Sequence, residues 1–72
     1  MKNDLSSYSL VHWAYHEADE VLLIYSNSFS VLPIIISRKD FDRAFGNIVS
    51  LNLLQLLQDY SYRFVGSFYC NV

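Results

Sequence analysis

His12 and His16 stand four residues apart, and Glu17, Asp19 and Glu20 follow at once. Imidazole and carboxylate are zinc ligands, and residues i and i+4 share a helix face, so this run comes nearest to a metal site in type and spacing. It stops short of one. The glutamate is not placed as in His-Glu-x-x-His, and no third ligand is defined. On a strand the even separation puts both imidazoles on one face but too far apart for a single ion. Structural or exposed histidines are expected, without metal or cofactor. A small metal- or ligand-binding domain using His12 and His16 is the alternative.

Covalent catalysis needs a nucleophile beside a base, and ten serines in 72 residues make Ser–His proximity uninformative. The chain has no nucleophile elbow, no glycine loop to cradle phosphate, and no isolated carboxylate pair in apolar surroundings. Asp40 and Asp42 fit better at a helix N-terminus, where the dipole favours negative charge by a few tenths of a kcal/mol (roughly). No enzyme activity and no catalytic residue are expected. The aromatic residues offer a different chemistry. Trp13, Tyr15, Tyr60, Tyr62 and Tyr69 form a candidate partner-binding set, because Tyr and Trp give large rigid contact area and are enriched at interface hot spots. The competing reading packs them onto the sheet. With 17% aromatic residues in so small a chain, some are expected outside.

These residues are carried by an α+β chain with a small antiparallel sheet in β-β-β-α-β order, covered by one long or broken amphipathic helix. Residues 8–15 fit either period, and their β-branched and aromatic content favours a strand. An acidic turn at 17–20 leads into a hairpin, with one strand from Val21 to Ser26, a turn at Asn27-Ser28, and a return from Phe29 to Ile36. Near-continuous apolar runs imply burial on both faces. Pro33 cannot donate a ladder hydrogen bond, which places the return strand at an edge or a bulge. An apolar edge at 31–36 would be open to a second copy.

Ser37 with Asp40 three residues on resembles a capping box, so a helix should begin near Arg38. Phe41, Phe45, Ile48 and Val49 set an apolar stripe that Leu53, Leu56 and Leu57 continue. Gly46-Asn47 interrupts it, and a break with Asn47 as a second N-cap is an open alternative to a kink. From Tyr60 the chain alternates as a last, half-buried strand, with Tyr60, Tyr62, Phe64, Gly66 and Phe68 on one side.

Composition narrows the partner. Seventy-two residues make one domain, in which only about 60% of the unfolded chain's surface is buried, so stability is marginal and a partner subunit would help. The chain is 53% hydrophobic with formal charge −2, and its five basic residues are scattered, with Asp40 and Asp42 interleaved in the one local cluster. Direct nucleic-acid binding is therefore disfavoured. Cys70 is the only cysteine, which precludes an intramolecular disulfide and suits a reducing compartment; a buried or incidental thiol is expected, not a reactive one. No run approaches the ~20 apolar residues of a membrane span, and Met1 to Leu5 lacks the apolar core of a signal peptide. A cytoplasmic protein is expected.

At Trp13, at Glu20-Val21-Leu22-Leu23-Ile24-Tyr25 and at Ile34-Ile35-Ile36-Ser37-Arg38-Lys39-Asp40-Phe41, the chain resembles the YcxB-like C-terminal domain over residues 8–57. In that family an aromatic residue precedes an acidic turn, and a strand runs into a Pro-Lys-Arg-Ala-Phe helix start. Here Pro33 lies earlier and Ser37 replaces the family's proline. The resemblance implies a small sheet-plus-helix domain without known catalytic residues. The upstream membrane helices and further strands of that family have no counterpart in this sequence.

The leading expectation is a non-enzymatic interaction module that binds another protein. A compact acidic protein of this length is also what a phage or mobile-element inhibitor of a host protein looks like, by analogy of composition. A subunit of an obligate oligomer is a further alternative.

Overall fold

The structure is a computed structural model that describes residues 5–66 and, for the backbone, 68–69. After a 3₁₀ turn at Leu5–Ser7, the strands β1 (Ser9–Tyr15), β2 (Glu20–Ser26) and β3 (Ser30–Ser37) follow as an antiparallel meander. Helices α1 (Arg38–Ala44) and α2 (Leu53–Asp59) come next, then the short strands β4 (Tyr62–Phe64) and β5 (Phe68–Tyr69). The spatial order is β1-β2-β3-β4, with β5 pairing the other end of β3. The α+β class and the small antiparallel sheet agree with the sequence expectation.

Alternation in β2 sets the layers. Val21, Leu23 and Tyr25 are buried while Leu22 and Ile24 are half-buried, so one face of the strand is sealed. Ile34 and Ile36 lie opposite Leu23 and Val21, and they pack with Phe41, Ala44, Ile48, Leu53 and Leu56 into the core. Pro33 to Ile36 are buried without interruption, as the continuous apolar run implied.

Asn27 closes the β2–β3 hairpin. Its side-chain Oδ1 accepts from the N–H groups of Phe29 at 2.8 Å and Ser30 at 2.9 Å, an Asx turn that fixes register. The Tyr8 hydroxyl bonds the Ser30 hydroxyl and pins the start of β1 to the same corner.

Strand β3 is internal, which corrects the edge reading of Pro33. It pairs β2 on one side and β4 and β5 on the other, so the 31–36 edge expected to receive a second copy is filled by this chain. Pro33 is tolerated because β4 and β5 break opposite it. Between the pairs Ile34↔Phe64 and Val31↔Phe68, β3 advances three residues and its neighbour four, a one-residue bulge. The Pro33 carbonyl accepts from Val65 N–H at 3.0 Å. A residue's N–H and C=O point to the same neighbouring strand, so the missing donor faces this break and spares the ladder to β2.

The helical segment is broken between Ala44 and Leu53, a stretch that includes Gly46-Asn47, but the second N-cap is not Asn47. Ser37 caps α1, its hydroxyl accepting from Asp40 N–H at 3.0 Å as the capping pattern required. The helix ends at Ala44 because Phe45 turns extended and Gly46 takes φ +100°, a region glycine enters without a Cβ penalty. The second cap is Asn52, whose Oδ1 accepts from Gln55 N–H at 2.9 Å. With helical phase lost at Phe45, the stripe changes: Ala44 and Ile48 are buried, whereas Phe45 and Val49 are exposed. Strand β4 also departs from expectation, since all three of its residues are exposed and not half-buried.

Candidate functional site

The start of α1 is fastened to the turn before β2. Arg38 N–H donates to the Asp19 carbonyl at 2.7 Å, which sets the helix across the end of β1. Trp13 and Tyr15 lie two apart on β1 and share its helix-side face. Phe41, fully buried, is the ring they meet: its centroid is 4.7 Å from that of Trp13 and 6.4 Å from that of Tyr15. Phe45 completes the group at 5.4 Å from Phe41 and 6.1 Å from Trp13, edge-on to both. Such edge-to-face pairs contribute about 0.5–1.5 kcal/mol each beyond burial, so the rings hold one another in place.

Phe41 is hidden in this cluster, but its outer members are not. Tyr15 is 55% exposed and Phe45 60% exposed, with Trp13 half-buried between them. The Arg38 guanidinium lies over the Tyr15 ring at 4.0 Å and reaches Asp42 at 3.8 Å. A rigid aromatic shelf with a cation at one end suits contact with another surface: the rings are already ordered, and little side-chain entropy remains to be lost on binding.

The five aromatic residues singled out in the sequence do not form one surface. Trp13 and Tyr15 lie together at the β1 edge. Tyr62 is on β4 at the opposite edge, two strand intervals further on from β2, and pairs with Phe64 at 5.3 Å. Tyr60 is half-buried against the core, with Arg43 over its ring at 5.7 Å. The side chain of Tyr69 lies outside the described residues, as does Cys70. Phe45 is the shelf residue that sequence reasoning missed, having been assigned to the core stripe. Gly46 directly after it was the available signal, because a glycine there ends the helix and releases Phe45 from the buried face.

His12 lies on β1 and His16 just beyond it, both exposed. Among the described residues no three His, Cys, Asp or Glu side chains gather as metal ligands. No helix among them is long and apolar enough to cross a membrane. Ion pairs are peripheral: Arg43 with Asp40 at 2.7 Å, and Arg63 with Glu20 at 3.3 Å across the sheet.

Two buried side-chain polar atoms have no hydrogen-bond partner among the described residues, Arg38 Nε and the Tyr25 hydroxyl. Burial pushes the pKa of Tyr25 up to about 12. Tyr25 belongs to the core and not to the shelf.

The chain matches no family model, no curated protein and no solved structure.

Proposed function

We propose that this chain is a non-enzymatic interaction module that binds another protein through the shelf of Trp13, Tyr15 and Phe45. The observation that carries the reading is an ordered aromatic cluster whose outer rings face solvent. Large apolar side chains in a core this small are valuable for burial, so leaving Tyr15 and Phe45 out favours a recognition role over packing. The edge-on contacts of Tyr15 and Phe45 to buried Phe41 support the exposed rings, and large aromatic side chains of this kind are enriched at interface hot spots. A small acidic inhibitor of a host protein is one form such a module takes, and a cytoplasmic setting accords with a lone cysteine.

The test is capture of partners from a native lysate by the tagged protein, with Tyr15→Ser/Phe45→Ser as the control variant. Both side chains are more than half exposed, so the variant should keep its fold, checked by an unchanged circular dichroism spectrum. A stoichiometric protein lost in the variant supports the reading. Capture that is indifferent to the variant, or no captured protein at all, contradicts it.

A further inference from the structure

Among the described residues the sheet has two free edges, and they are unlike. Strand β4 is three residues long, carries Arg63, and ends in the break opposite Pro33. Short length, charge and irregularity are the devices by which proteins keep edges from pairing. Strand β1 is seven residues long and, among the described residues, pairs only with β2. From Leu5 to His16 there is no Lys, Arg, Asp, Glu or Pro. A register irregularity between Leu10 and His12 is its single protective feature, and Val11 within it is 60% exposed.

The direction of the unpaired groups follows from the ladder. His16 N–H donates to the Glu20 carbonyl at 2.9 Å, so His16 and, by alternation, Ala14 direct their backbone groups to β2. The backbone N–H and C=O of Trp13 and Tyr15 therefore point away from the sheet, at the edge.

We propose that this edge is the interface of a symmetric dimer, in which β1 of a second copy pairs antiparallel with β1. Charge selects a second copy. The chain carries net charge −2, yet the strand that would lie against itself is uncharged, so no like charges oppose along the seam. The nearest acids, Glu17 and Asp19, follow the C-terminal end of β1; antiparallel pairing carries the two pairs to opposite ends, each beside the other copy's uncharged Ser6–Ser9 stretch. A basic partner strand would find no complementary acid within β1. The two-fold axis stands normal to the sheet, which keeps both α1 helices on one face and brings the two aromatic shelves to either side of the seam. This proposal rests on the backbone edge and the absence of charge, and goes beyond the shelf's role in binding another protein.

Sedimentation of the full chain across micromolar to millimolar concentration tests it, together with amide hydrogen exchange at both limits. The expected result is a reversible dimer whose Trp13 and Tyr15 N–H groups gain protection as it forms. Val11→Lys, at an exposed side chain, should weaken the dimer roughly tenfold or more, while Val11→Ile leaves it intact. A monomer at every concentration overturns the proposal, and so does a dimer whose Trp13 and Tyr15 amides exchange freely. Either outcome leaves the shelf's capture test standing on its own.

Discussion

Arg38 lies over the ring of Tyr15 at 4.0 Å, while its backbone N–H holds the Asp19 carbonyl at 2.7 Å. One residue thus joins the first turn of α1 to both the end of β1 and the turn that leaves it. These contacts anchor the aromatic shelf at this corner.

Replacing Arg38 with Ala should lower stability by about 0.5–1 kcal/mol, the usual worth of an exposed cation–π contact. Urea unfolding would show this as a lower midpoint at unchanged slope, and Arg38→Lys should recover part of it. No shift in Arg38→Ala would mean that the stacking contributes nothing.

Ser37→Ala and Asn52→Ala each remove a side-chain acceptor from a helix start, and each should cost about 1 kcal/mol. Ser37→Asp, which keeps an acceptor, should stay close to the parent in thermal melting. Equal losses in Ser37→Ala and Ser37→Asp would contradict the capping role.

Gly46→Ala isolates backbone conformation, since a Cβ there meets nothing within 4 Å while φ is +100°. The expected loss is about 1 kcal/mol, arising from the left-handed backbone alone. Chemical denaturation measures it directly.

Local chemistry was legible where one residue decides one hydrogen bond. Ser37 announced the start of α1, Asn27 the hairpin, and the aromatic residues with Val11 at 8–15 their strand, because each signal acts within a few residues. Pro33 shows the limit. Its missing donor correctly implied an edge or a bulge, but the choice between them depended on strands 30 residues later in the chain (roughly). The stripe through Phe45 and Val49 failed because periodicity assumes continuous helical phase, and Gly46 with extended Phe45 ends that phase at Ala44. The same failure hid the candidate site: a residue counted toward the core became the outer ring of the shelf.

Alkaline pH should act through Tyr25. Its ordinary pKa of 10.0 rises to about 12 in the fold, so the folded state holds the proton more tightly than the unfolded chain does. This contribution is fully present below pH 10 and is lost as pH climbs to about 12, a fall on the order of 2–3 kcal/mol. Tyr25→Phe removes a hydroxyl with no partner among the described residues, so it should be neutral or stabilising by up to about 1 kcal/mol near pH 7 and should flatten the alkaline fall. A strongly destabilised Tyr25→Phe would mean that the hydroxyl is bonded after all.

The most direct measurement is the affinity of the captured partner for two double variants, Tyr15→Ser/Phe45→Ser at the shelf and Tyr62→Ser/Phe64→Ser at the opposite edge. Hot-spot aromatics cost about 2 kcal/mol or more each when removed, so the shelf variant should bind at least about a hundredfold more weakly. The β4 variant should stay within about threefold of the parent. Equal losses, or a larger loss at Tyr62 and Phe64, would contradict the assignment of recognition to Trp13, Tyr15 and Phe45.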